Sequence, residues 1–136
     1  MDETDKQIIQ ILKSDGRAAY NDIGKQIGLS EGAIRKRIKT LTETGVIRKF
    51  TVKIGIAEGA EALILVATNP SHPTQEVSKH IREIHNVETL YEVTGEYDIV
   101  AIISGMSVAE VNEGIDKIRR VEGIMKTNTV IILRSW

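Results

Sequence analysis

Apolar positions in the first fifty residues recur with helical spacing. Ile8, Ile11 and Leu12 fall at i, i+3 and i+4, with Asp2 in capping position ahead of them and Gly16 behind, which predicts an amphipathic helix over residues 3–14. Asn21 or Asp22 is placed to cap a second helix with the body Asp22–Ile27, closed by Gly28. Ser30 then stands at the N-cap of a third, whose Ile34, Ile38 and Leu41 share one face. Two helices separated by a tight Gly-Leu-Ser turn form the outline of a helix-turn-helix, in which Gly28 supplies a backbone angle other residues resist. After Gly45-Val46-Ile47 and the pair Arg48-Lys49, the segment Phe50-Thr51-Val52 alternates like a strand and is expected to form a wing or connecting strand.

From residue 61 the rhythm changes to near-continuous apolar runs: Leu63–Ala67, Ile99–Ile103 and Val130–Leu133. Runs of this kind predict strands buried on both faces. Between them lie two helical patterns, Val77/Ile81/Ile84 and Val111/Ile115/Ile118, the second being the first displaced by 34 residues. The displacement also maps Val87-Glu88 onto Val121-Glu122. Two copies containing strands do not suit a helical repeat array. What remains is strand, helix, strand, twice over: strands at 61–69, 87–94, 97–104 and 124–133, helices at 74–85 and 107–119. The chain is therefore expected to be α+β. A winged helix-turn-helix at 1–50 and a linker or strand at 51–60 precede a ferredoxin-like βαββαβ domain at 61–136.

In that plan both helices cover one face of an antiparallel sheet. Yet on the first strand Leu63, Leu65 and Ala67 point one way and Ala62, Ile64 and Val66 the other, so both faces are apolar. A second subunit packed sheet against sheet would cover the exposed one, and at least a homodimer is expected.

Charge separates the two halves. The net charge of −1 hides a residue 1–50 segment with ten Lys/Arg against seven Asp/Glu, a net +3, and a remainder with eight against twelve, a net −4. On the third helix Arg35, Lys36 and Lys39 fall away from the apolar stripe and Arg37 lies at its border, giving a cationic face suited to phosphates. Residues near the start of that helix, Glu31, Gly32 and Arg35, are placed to approach base edges, with Arg48 and Lys49 beside them on the wing. Double-stranded DNA is the partner this pattern suits. The alternative is a soluble bundle with a solvated charged face.

The absence of cysteine excludes a disulfide framework, a thiolate nucleophile and a Cys-based zinc site, which fits a reducing compartment. No apolar run reaches the roughly 18 residues a membrane span needs. An acidic start, Met1-Asp2-Glu3-Thr4-Asp5, is unlike an export signal, and a cytoplasmic location is expected. His72, His80 and His85 lack metal-ligand spacing and are expected to be solvated. No nucleophile, metal set or paired acid and base assembles into an enzyme, and no metal or cofactor is expected.

Two polar features interrupt the apolar second half. Thr94-Gly95-Glu96-Tyr97-Asp98 joins two strands, with Gly95-Glu96 as the expected two-residue hairpin loop and Asp98 inside the following strand. A carboxylate there needs donors, so Asp98 either ties down its own hairpin or receives a ligand's amino group. Thr127 and Thr129 lie two apart on the last strand, either as ordinary strand residues or as hydroxyls for a ligand carboxylate.

Several motifs together resemble a known family: Asp2-(two residues)-Asp5-(two)-Ile8, Gly16-Arg17, Ile23–Ser30, Arg37-Ile38-(two)-Leu41, Gly45-Val46-Ile47 and Gly95-Glu96-Tyr97-Asp98. With the βαββαβ plan behind them, they are similar to the leucine-responsive regulatory protein / asparagine-synthetase-C regulator (Lrp/AsnC) family over nearly the whole chain. The resemblance implies a transcription regulator with a winged helix-turn-helix and an oligomerising domain. It further implies dimers that assemble into tetramers, octamers or larger rings, with an amino-acid effector bound between them. It makes Ser30 to Lys39 the DNA-reading helix, with Arg35, Lys36, Arg37 and Lys39 as its main cations, and Gly95, Glu96, Tyr97, Asp98, Thr127 and Thr129 the effector-contact positions. The acids Glu92, Glu96 and Asp98 would favour lysine or arginine as effector. A ligand-independent architectural DNA-binding protein is the competing expectation. Gly24 departs from the family's usual Ala, at an expected cost of about 1 kcal/mol in helix propensity.

Overall fold

The first helix, α1 (Glu3–Ser14), starts from a reciprocal cap. Asp2 Oδ1 accepts from Asp5 N at 2.9 Å, and Asp5 Oδ2 accepts from Asp2 N at 3.1 Å. Two backbone donors that a helix start leaves unpaired are thereby satisfied. The computed structural model describes residues 1–55 and 59–136 and divides them into two units, Met1–Lys53 and Ile54–Trp136.

In the first unit α2 (Tyr20–Ile27) begins earlier than the expected cap at Asn21 or Asp22. Ala19 is the N-cap, extended and without a side-chain bond, and Asp22 instead lies in the first turn, where its charge complements the helix dipole. Gly28 closes α2 at φ +88°, its N–H donating to Gly24 O at 2.7 Å. The helix α3 (Glu31–Glu43) follows at once, capped by Ser30 Oγ, which accepts from Ala33 N at 3.1 Å. Ile8, Ile23, Ile34 and Ile38 form the core of the three helices. Each such side chain contributes about 1.5–3 kcal/mol by leaving water. The propensity argument at Gly24 is overturned by packing: a Cβ there would collide with the Leu29 carbonyl oxygen across the turn. The glycine is what lets α2 and the turn approach so closely.

The expected wing strand does not form among the described residues. Residues 48–55 belong to no strand, and Phe50, Val52 and Ile54 are 54%, 77% and 79% exposed. A lone alternating segment has no ladder to satisfy its backbone groups, so pattern alone does not make it a strand. Of the expected 51–60 linker, residues 56–58 lie outside the described residues, and Ala60 already belongs to the first strand.

The second unit contains β1 (Ala60–Thr68), α4 (Thr74–Arg82), β2 (Val87–Glu92), β3 (Ile99–Gly105), α5 (Val108–Arg119) and β4 (Ile124–Ile131). Its antiparallel sheet has the order β2-β3-β1-β4, placing the two apolar runs of β1 and β3 at the centre. The 34-residue repeat becomes a structural one: Val77 and Ile81 of α4, and Val111 and Ile115 of α5, pack on Ala62, Ile64, Val66, Ile99, Ala101 and Ile103. The opposite face carries Leu63, Leu65, Val100 and Ile102, half-buried, with Leu63 opposite both Ile102 and Val130. Of the helices, α4 ends three residues earlier than expected and α5 begins one later, and the strands lie up to two residues from their expected bounds, as fraying ends do.

The expected two-residue hairpin is corrected. Six residues, Val93–Asp98, separate β2 from β3, and Asp98 precedes β3 rather than lying in it. Asp98 is bonded on both sides: its N–H donates to Val66 O of β1 at 2.8 Å, and its carbonyl accepts from Val93 N, just after β2, at 2.9 Å. Gly95 takes φ +116° at the tip of this longer loop.

Candidate functional site

The first candidate site is the outer surface of α3. Gly32, Arg35, Lys36 and Lys39 recur at i, i+3, i+4 and i+7, and all four are exposed. Nothing lies within 4 Å of a Cβ built on Gly32, so the helix is open there to an approaching surface. Arg35 is held on two sides: Nη2 donates to Glu31 Oε1 at 2.7 Å, and its guanidinium lies 5.8 Å from the centre of the Tyr20 ring. Lys39 has Glu43 Oε1 at 3.9 Å, an exposed pair that costs little to break. Ser30 is spent on the cap, Glu31 on Arg35, and Arg48 and Lys49 are exposed beyond α3 without a strand to carry them.

Arg37 is differently employed. Its Nη1 reaches Asp2 Oδ2 at 2.8 Å and Asp5 Oδ1 at 3.0 Å, joining α3 to the start of α1. The bond from Arg37 is the main reason the Asp2 carboxyl lies below its usual value of 3.8, and Asp2 and Asp5 in turn raise the guanidinium. Tyr20, Asp2 and Asp5 were not legible as partners of α3, since each lies at least eleven residues away in sequence.

The second candidate site is the end of the sheet where the 93–98 loop sits. Asp98 Oδ2 accepts from Thr68 N at 2.8 Å and from Thr68 Oγ1 at 3.1 Å. Of the two readings of this carboxylate, the structure displays the tie within the fold, made to β1 and not within the loop itself. Glu96 Oε1 takes Lys126 Nζ at 3.2 Å, and that ammonium lies 5.4 Å from the centre of the Tyr97 ring. Lys126 thus joins the loop to β4, 30 residues away. Glu92 accepts from Ser78 Oγ of α4 at 2.8 Å.

Thr127 is level with Val66 and Ile99, at the same end as the loop, whereas Thr129 lies further along, level with Ile64 and Ala101. Both therefore face the helix layer. Arg119 Nε donates to Thr127 Oγ1 at 3.4 Å, while Thr129 Oγ1 is buried with no partner among the described residues. Lys126, Thr68 and Arg119 are the residues the motif reading missed. Their roles depend on strand register, which a single sequence does not print.

His72 is not simply solvated: its Nδ1 lies 3.1 Å from Ser71 Oγ and its Nε2 lies 3.6 Å from Glu122. Among the described residues no group of three or more His, Cys, Asp or Glu is placed to hold a metal ion, and no helix is long and apolar enough to cross a membrane.

A helix-turn-helix with a cationic outer face, joined to a four-stranded ferredoxin-like domain, defines a class of DNA-binding regulators that carry a ligand domain. The comparisons agree. Residues 1–42 match the AsnC-type helix-turn-helix domain and residues 61–136 the Lrp/AsnC ligand binding domain. The chain belongs to the Lrp/AsnC family of transcription regulators, not to a family of enzymes. It is 43% identical to the HTH-type transcriptional regulator LysM of Saccharolobus solfataricus, covering 100% of this chain and 96% of that one. It is 36% identical to the HTH-type transcriptional regulator FL11 of Pyrococcus furiosus, over 98% of this chain and 90% of that one. Among solved structures, the Mycobacterium tuberculosis leucine response regulatory protein superposes with a TM-score of 0.85 at 24% identity, over 100% and 94% of the chains. The feast or famine regulatory protein of the same organism, complexed with L-methionine, gives 0.83 at 25%, over 99% and 93%.

Proposed function

We propose that this regulator binds double-stranded DNA sequence-specifically in the cytoplasm as a homodimer that assembles further into tetramers or octamers, and that a small amino acid modulates its assembly or DNA binding. In this reading Gly32, Arg35, Lys36 and Lys39 face the DNA, with Ser30 and Glu31 at the helix start and Arg48 and Lys49 beyond it. The apolar face of Leu63, Leu65, Val100 and Ile102 packs on that of a second copy.

The effector is placed at the 93–98 loop and the adjoining β4 segment. One observation carries this: Lys126 connects Glu96 and Tyr97 of the loop to β4. An amino acid brings the complementary groups, an ammonium for carboxylates and a carboxylate for hydroxyls. Lysine or arginine is the effector this reading favours, because Glu96 already takes an ammonium that rests over Tyr97, and Asp98 ends the same loop. The side chain of such a ligand competes with Lys126 for Glu96.

The test is thermal unfolding of the full chain against each of the twenty amino acids, because a ligand that binds only the folded protein raises the midpoint by mass action. Lysine or arginine should raise it at millimolar concentration, and Glu96→Gln should weaken the shift. A shift with methionine alone would keep the site and remove the cationic preference. A second reading, ligand-independent architectural DNA binding, is favoured by the two hydrogen bonds from Thr68 that already occupy Asp98 Oδ2. No shift with any amino acid would select it.

A further inference from the structure

Among the cations of α3, Arg37 alone is half-buried, and it alone is bonded across the helical unit. Its Nη1 donates to Asp2 Oδ1 at 3.0 Å and Asp2 Oδ2 at 2.8 Å, and to Asp5 Oδ1 at 3.0 Å. Those two carboxylates are the ones that cap α1, so each is fixed by a backbone N–H as well as by the guanidinium. The arrangement fastens the first turn of α1 to the middle of α3.

Two consequences follow from the charges and the packing. One guanidinium against two carboxylates has a local net charge of minus one, so a phosphate approaching this point meets no net attraction. The core contacts of Ile34 and Ile38 with Ile8 and Ile23 are apolar and non-directional, and they resist separation of the helices more than rotation of α3 about its own axis. A charge-assisted bond from one nitrogen shared between fixed acceptors on two residues does resist rotation.

We propose that Arg37 is a positioning residue for DNA recognition: clamped by Asp2 and Asp5, it sets the rotation at which α3 presents Gly32, Arg35, Lys36 and Lys39, and it makes no phosphate contact itself. This revises the phosphate role expected of Arg37 from sequence, and it rests on the reading of α3 as the DNA-reading helix.

The two roles predict opposite signs. A duplex selected from a random-sequence pool by the wild-type full-length protein serves as the probe, with affinity measured across a salt series. In Asp2→Asn/Asp5→Asn the guanidinium is set free. A positioning role predicts weaker binding, by about tenfold if about 1.4 kcal/mol of alignment is lost, whereas a phosphate-binding role predicts equal or tighter binding. Arg37→Lys keeps the charge but carries it on a shorter, more flexible stem, so the nitrogen no longer sits between Asp2 and Asp5 and binding should weaken as in the acid variants. Combining it with them should add little. All of these should retain the wild-type salt slope, while Lys36→Ala should lower the slope by about one.

Tighter binding by the acid variants, or a slope lowered by about one in Arg37→Met, would overturn the proposal. So would unchanged affinity accompanied only by a lower melting temperature, which would leave the clamp a stability device. If Lys36→Ala and Lys39→Ala also left DNA affinity unchanged, the assignment of α3 itself would fall and take the proposal with it. Loss in those two with unchanged affinity in Asp2→Asn/Asp5→Asn and Arg37→Lys would remove the positioning role alone. Circular dichroism of each variant separates misfolding from misalignment, and the lysine variant carries the test if Arg37→Met does not fold.

Discussion

Asp98 and Thr68, thirty residues apart, are joined twice by one oxygen: Asp98 Oδ2 accepts both the backbone N–H of Thr68 at 2.8 Å and its hydroxyl at 3.1 Å. Thr68 is the last residue of β1 and is buried, so its N–H has no water to replace the carboxylate. Removing a charged acceptor from a buried donor costs about 1–3 kcal/mol. Asp98→Ala should therefore destabilise the second unit by about that amount in urea unfolding followed by hydrogen exchange of β1 and β3 amides and by circular dichroism. Thr68→Val, which keeps the backbone bond, should lose less. Equal stability of Asp98→Ala and wild type would show the pair to be dispensable to the fold.

The Arg37 clamp makes a prediction in acid. Arg37 holds the Asp2 carboxyl below its usual 3.8, so the folded protein binds that proton less readily than the unfolded chain does. The stabilisation is thus fully present above about pH 4–5, by the usual unfolded value, and is lost as pH falls through the lowered folded value. Hydrogen-exchange protection of α1 amides should decline over that acid range in wild type and change less in Asp2→Asn. Asp2 is exposed, so added salt should shrink the difference. A variant with the same acid limb as wild type would disconnect the clamp from α1.

At Gly24 two effects oppose each other. Alanine in a helix interior is worth about 0.8–1 kcal/mol over glycine. Here the added methyl meets the Leu29 carbonyl, a backbone atom fixed by the turn before α3, and it can be accommodated only if that turn moves. Overpacking of this kind costs about 1–3 kcal/mol. Gly24→Ala should lower the thermal midpoint of the helix-turn-helix unit, read from α-helical circular dichroism and from exchange of α2 and α3 amides. A raised midpoint would mean the turn yields readily and propensity wins.

How much of this was legible in the sequence depended on whether a feature was local. The helices were, because Ile8, Ile34 and Ile38 sit at helical spacing and Asp2 and Ser30 cap through their own next turn. The two halves of the ferredoxin-like domain were also legible, because Val77/Ile81 and Val111/Ile115 repeat at one spacing. What was not legible required a partner distant in the chain. The loop before β3 is six residues rather than two because Asp98 bonds to Val66 and Thr68, thirty or more residues upstream. Arg37 read as one more cation of a basic face, since nothing local marks Asp2 and Asp5 as its acceptors. Phe50 to Ile54 alternates like a strand but joins no ladder among the described residues, and period two without a ladder does not hold a strand.

The helix-free face of the sheet carries the last prediction. Leu63, Ile102 and Val130 form one cross-strand row and Leu65 and Val100 the next, with Val130 still 46% exposed. Rows of aliphatic side chains on three neighbouring strands make a patch that water solvates poorly, and a second copy of the same face is self-complementary by a twofold axis. A carboxylate placed in the centre of such an interface faces its own symmetry mate, unpaired and desolvated, at a cost of several kcal/mol. In the free monomer the same side chain points to solvent. Ile102→Glu should therefore leave circular dichroism nearly unchanged while shifting the sedimentation of the full chain toward a 136-residue monomer. Affinity for a DNA duplex with two half-sites should fall far more than affinity for one half-site, because linked binding is lost with the dimer. A variant that still sediments as wild type would place the interface elsewhere, and the apolar face would then need another cover.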